Sequence, residues 1–122
     1  MARLRIAAGK VSVVVELRDT PTARALLDRA PFNSTASTWG DEVYFATPVK
    51  AKLEADAAQV VAPGAACFWT QGDAIALPFG RTPISTDERP KLANPCNLIG
   101  TVDDFKALKN VKAGDRIRVE KA

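Results

Sequence analysis

Trp39, Tyr44, Phe45, Trp69 and Phe79 are five of the eight aromatic residues in this 122-residue chain, and they lie in or beside short alternating stretches bounded by turns. Arg81, Thr82, Ser85 and Asn97 follow, one guanidinium and three uncharged groups that both donate and accept. Rings that wall a groove, with a polar rim to orient its occupant, make a binding site for a small molecule or a peptide. The same rings equally suit a barrel core, and Thr, Ser and Asn (Asn94 among them) equally suit the backbone of a loop. Trp39 and Tyr44 fit the groove best, because each adjoins a turn and carries a polar handle. Arg81, in Gly80-Arg81-Thr82-Pro83, is the cation best placed to grip a carbonyl or carboxylate. As a solvated surface side chain it would do neither.

Covalent and metal chemistry is mostly closed to this chain. It contains no His, which removes Ser-His-Asp triads, Cys-His dyads, imidazole zinc sites and imidazole acid–base catalysis. Cys67 and Cys96 are too few for a four-thiolate site and read as buried free thiols. Asp41 and Glu42 adjoin at a strand end, point to opposite faces, and form no facing acid–base pair. No catalytic residue, metal or cofactor is assigned. The net charge is +3, but acids and bases interleave, as in Arg18-Asp19, Asp28-Arg29 and Asp87-Glu88-Arg89, so no nucleic-acid footprint is expected. Met1-Ala2-Arg3-Leu4-Arg5-Ile6 precedes no apolar run, and no stretch approaches a membrane span, so a cytoplasmic protein with no membrane partner is expected.

The elements that must position these residues are short. Hydrophobic residues make up 47% of the chain and charged residues 25%, the balance of a globular protein, and the length suits one domain over residues 1–122. Leu4, Ile6 and Ala8, a Gly9-Lys10 turn, then Val11, Val13, Val15 and Leu17 predict a hairpin. Thr20-Pro21 opens a helix carrying Ala23, Leu26, Leu27 and Ala30, and Pro31 ends it. Phe32, Ser34, Ala36 and Thr38 share one strand face. Trp39-Gly40-Asp41 turns into a strand in which Val43 and Phe45 alternate with Glu42 and Tyr44, closed by Thr47-Pro48.

Residues 51–61 fit either a helix or the start of a strand. Residues 66–69 and 75–79 flank a hairpin loop at Thr70-Gln71-Gly72-Asp73. Pro48 suggests a sheet edge and Pro78 an edge or a bulge at the end of its strand; through such edges a homodimer or another partner could pair. The stretch from Gly80 to Pro95 is irregular, and loops of that length in small domains tend to be functional. Leu98, Ile99 and Val102 mark a strand, Asp103 or Asp104 caps a short helix with Phe105, Leu108 and Val111, and Ile117 and Val119 point inward from a last strand. So many short strands with two short helices predict a mainly β protein, a closed or nearly closed barrel plugged by capping helices. The groove falls between strand 39–47 and loop 80–97.

Three ordered motifs carry a resemblance: Thr38-Trp39-Gly40-Asp41-Glu42-Val43-Tyr44-Phe45, Phe79-Gly80-Arg81-Thr82-Pro83-Ile84-Ser85, and Asn97-Leu98-Ile99-Gly100-Thr101-Val102. Over nearly its whole length the chain resembles a largely uncharacterised family of small bacterial and archaeal cyclophilin-like proteins with an atypical cyclophilin fold. That resemblance implies an eight-stranded barrel closed at each end by a helix. Where the family often reads Pro-Gly-Asp, this chain has Pro63-Gly64-Ala65 before Phe68-Trp69. The resemblance also raises a divergent peptidyl-prolyl isomerase as the alternative to simple binding. Twisting an X-Pro amide needs no nucleophile, only a pocket that lowers a barrier of roughly 18–20 kcal/mol by desolvation and a hydrogen bond to the nitrogen. The ordinary cyclophilin Phe-His-Arg-x-Ile-Pro and Gln-Gly-Gly signatures are not matched. Tyr44-Phe45-Ala46-Thr47-Pro48 is the nearest stretch, and Pro95-Cys96-Asn97 stands where a His is usual.

Overall fold

The computed structural model describes residues 2–122. Its strands are β1 (Arg3–Ala8), β2 (Val11–Leu17), β3 (Phe32–Thr35), β4 (Ser37–Thr38), β5 (Glu42–Ala46), β6 (Ala58–Val60), β7 (Ala65–Trp69), β8 (Ala74–Pro78), β9 (Lys91–Val102) and β10 (Arg116–Lys121). Helix α1 (Pro21–Arg29) follows β2, and a 3-10 helix (Phe105–Asn110) follows β9. Nine strands run antiparallel in the order β3-β10-β1-β2-β9-β7-β8-β5-β4, and β6 pairs separately with β9. The two ends of that order, β3 and β4, are consecutive in the chain and separated by Ala36 alone. The sheet therefore comes round on itself through one stave bent at Ala36, giving a nearly closed barrel of eight staves. At the bend the Ala36 N–H donates to Asp115 O (2.8 Å) and its carbonyl accepts from Gly114 N (2.8 Å).

Period-two alternation builds the interior. Leu4, Ile6 and Ala8 of β1, Val13, Val15 and Leu17 of β2, and Ile117 and Val119 of β10 all point into the barrel, joined there by Val43, Phe45, Phe68, Ile75, Leu77 and Ile99. Gly9, at φ +58°, makes the two-residue β1–β2 turn that a side chain would strain. Helix α1 starts as its sequence dictates: the Thr20 hydroxyl accepts from Ala23 N (3.2 Å), with Pro21 in the first turn. Its Ala23 and Leu26, and Leu108 from the 3-10 helix, complete the interior cluster. Asp104 occupies the N-cap of the 3-10 helix without a capping bond. Asp103 instead accepts from Val14 N (3.0 Å) and Asp104 N (2.7 Å), tying the end of β9 to β2.

A second, smaller apolar layer lies on the outer wall. Val61, Cys67, Ala76, Leu92 and Cys96 are buried together there, with Tyr44, Trp69 and Leu98 packed against them. What covers this wall is the first half of β9 with its partner β6, and here the structure corrects the sequence reading. Residues 51–57 form neither helix nor strand, and pairing begins only at Ala58. The irregular stretch ends at Pro90 and not at Pro95, so the loop placed at 80–97 is shorter, because β9 already starts at Lys91. Pro95 is accommodated where the β6–β9 register shifts, a place that needs no ladder donor. Nor does Pro78 mark an edge: it is the last residue of β8, which lies between β5 and β7, and it sits opposite Glu42. Among the described residues no helix is long and apolar enough to cross a membrane.

Candidate functional site

Strand parity places the site. On β5, Val43 and Phe45 face the barrel interior, so Glu42 and Tyr44 face outward. Across the sheet the outer row runs from Tyr44 to Ala76 to Cys67. Two small residues beside a phenol leave the floor low. Trp69 at the end of β7 and Trp39 ahead of β5 rise beside that floor, and Leu92, Ala93 and Cys96 of β9 form the opposite wall. The result is a cavity of about 290 Å³ whose lining is mostly apolar, with Glu42 in its wall.

Glu42 is the unusual member. It is only 6% exposed, and its Oε1 is buried with no hydrogen-bond partner. Charge is costly in such a place, and burial pushes the carboxyl up to about 7 from its ordinary 4.5. The thiols respond in the same direction. Burial, then the neighbouring Glu42, pushes Cys96 up to about 12, while burial, Cys96 and Glu42 together raise Cys67 further. Both cysteines are free and held protonated, so neither is a nucleophile at neutral pH.

Trp69 is fixed from two sides. Its Nε1 donates to Asn94 Oδ1 (3.1 Å), and its six-membered ring lies where a Cβ on Gly72 would be. Gly72→Ala would overlap the ring edge and force it away from Asn94. The variant is expected to stay folded, with a changed Trp emission maximum and near-UV dichroism and a narrowed cavity. An unchanged near-UV spectrum would show that the ring is not held this way.

Of the residues singled out from sequence, Trp39, Tyr44 and Trp69 come together around this cavity. The others do not. Phe45 is 1% exposed in the barrel interior, because alternation turns it away from its neighbour Tyr44. Phe79 packs against the interior cluster and borders a separate depression with Asp41, Lys106 and Lys109. Arg81 points along its own loop: its Nη2 donates to Ser85 O (3.3 Å) and its Nη1 lies 3.9 Å from Glu88.

Thr82 and Ser85 staple loop 80–90. The Thr82 hydroxyl donates to Lys91 O (2.5 Å), and Ser85 Oγ accepts from Thr82 N (3.0 Å) and Lys91 N (3.1 Å). Asn97, fully buried, is a bracket. Its Nδ2 donates to Thr22 Oγ1 (3.0 Å) and Lys52 O (2.9 Å), and its Oδ1 accepts from Glu54 N (2.7 Å). Sequence reasoning weighed Glu42 only as half of an acid–base pair with Asp41 and passed over Leu92 and Ala93 of β9. The signal for Glu42 was present, since it stands two positions before Tyr44 on one strand and so shares its face.

Fold and cavity together define a mainly β, nearly closed barrel with an aromatic pocket on its outer wall. The pattern of the Cyclophilin-like family matches residues 2–120, and the chain belongs to that family. It is similar to the solution structure of a hypothetical protein from Archaeoglobus fulgidus, with a TM-score of 0.86 and 41% identity, covering 99% of this chain and 95% of that one. No curated protein matches the sequence.

Proposed function

We propose that this cyclophilin-like barrel binds a small molecule or short peptide in the lateral cavity between β5, the end of β7 and the first half of β9. The observation that carries the reading is the pairing of aromatic walls with a buried carboxyl that has an unsatisfied oxygen. A folded core seldom leaves such a group unpaired unless something else satisfies it. The alternative, a divergent prolyl isomerase, has less behind it. Arg81, the cation that the sequence marked as best placed to grip a carbonyl, bonds within its own loop, and Trp69 Nε1 donates to Asn94.

The two readings separate in solution. Small molecules and proline-containing peptides are titrated while the two indole N–H resonances are followed, and cis–trans exchange of the peptides is measured alongside. Binders are expected to shift the Trp39 and Trp69 signals saturably, and Trp39→Ala to weaken them by about tenfold, the usual consequence of losing an aromatic anchor. No acceleration of exchange is expected. Ligands that bind without moving either indole would remove the cavity from consideration, and acceleration would favour the isomerase.

A further inference from the structure

Resting on the binding reading above, we propose that the cavity selects small organic cations, a protonated or methylated amine, seated on the aromatic rings with its charge against Glu42. Three features converge on that chemistry. Trp39, Tyr44 and Trp69 line one cavity, and the electron-rich faces of indole and phenol attract ammonium groups. Glu42, in the same wall and only 6% exposed as a residue, supplies the opposite charge from a carboxyl with an unpartnered oxygen. Finally, among the described residues no Lys or Arg lines the cavity, so nothing in its wall already neutralises that carboxylate.

An anionic guest would meet only repulsion from Glu42. A metal ion would lack ligands, since among the described residues no three His, Cys, Asp or Glu side chains come together to hold one. The groups that face Glu42 and titrate are Tyr44 on its own strand, Cys67 on β7 and Cys96 on β9. Both thiols are held protonated, and Cys96, which lines the cavity, offers it a soft neutral surface. Cation binding must expel the proton that the carboxyl holds below about pH 7, and affinity therefore rises with pH through that region.

The test uses choline and its neutral carbon isostere, 3,3-dimethylbutan-1-ol, each titrated into the full chain at pH 5 and pH 8 with both indole resonances observed. At pH 8 choline is expected to bind about tenfold more tightly than the alcohol, a preference of the size that a desolvated cation–aromatic contact confers. The preference should shrink at pH 5 and vanish in Glu42→Gln. Trp69→Leu should weaken choline more than the alcohol. Equal affinity for the two at pH 8, or a preference that survives Glu42→Gln, overturns the charge selectivity and leaves the cavity as a neutral binding site. If neither compound moves the indoles at saturating concentration, the selectivity is refuted, and the proline-peptide and small-molecule titrations decide separately whether the cavity binds at all.

Discussion

Asn97→Ala is expected to lower the free energy of unfolding by about 3 kcal/mol, the sum of a few buried hydrogen bonds lost with their partners left behind. The amide is fully buried and all its contacts reach elements distant in the chain: the Thr22 hydroxyl on α1, and Lys52 O and Glu54 N in the segment before β6. Thr22 also donates from its backbone N–H (3.1 Å) and its hydroxyl (2.6 Å) to Glu54 Oε2, so one side chain anchors a network joining helix, loop and barrel. Asn97→Asp should be no milder, since it keeps the acceptor for Glu54 N but points a carboxylate at Lys52 O and adds charge beside Glu54. Urea unfolding of the three proteins checks this, with a lower midpoint and an unchanged slope as the expected pattern. Asn97 was a candidate rim residue from sequence, and the same variant decides that role. If it is a bracket, folded Asn97→Ala binds choline as the wild type does.

The readable parts of this sequence are those where one face is buried and the other wet. Leu4, Ile6 and Ala8 against Arg3 and Arg5, or Ile117 and Val119 against Arg116 and Arg118, announce both the strand and its inner face. Thr20-Pro21 announces a helix start because capping chemistry is local. Legibility fails on the wall that carries the cavity. Every residue of β8 and most of β5 are buried, so alternation no longer says which face is inner, and Tyr44 and Phe45 look alike as candidates though only one faces outward. The far wall is less readable still. Leu92, Ala93 and Cys96 reach the cavity only through pairing of β9 with a three-residue strand whose register shifts, and nothing in the local pattern encodes that partner. Pro90 and Pro95 then read as loop residues, which is right for the first and wrong for the second.

Glu42→Gln is expected to remove most of the pH dependence of stability between pH 5 and pH 8. The sign follows from proton counts. Between 4.5 and about 7 the native state keeps a proton on Glu42 that the unfolded chain has already released, so stability is fully present below 4.5 and falls as pH rises toward and through 7. A displacement of that size corresponds to a loss of about 3 kcal/mol by pH 8, or on the order of 10 °C in Tm for a domain of this length. Gln has the shape of the protonated acid without the ability to ionise. The variant should therefore match the wild type at pH 5 to within about 1 kcal/mol and exceed it by about 3 kcal/mol at pH 8. The window is clean, because a chain with no His has no other side chain of ordinary pKa changing charge there. Asp87, which its exposed contact with Arg89 lowers to about 2, titrates well below it. Unfolding curves at the two pH values settle the matter. Parallel behaviour of wild type and variant would mean that Glu42 is ionised and satisfied across the range. The instability expected above pH 7 also fits the charge selectivity of the cavity: an ammonium seated against the carboxylate supplies the missing partner, so choline should raise the Tm at pH 8 and leave it nearly unmoved at pH 5.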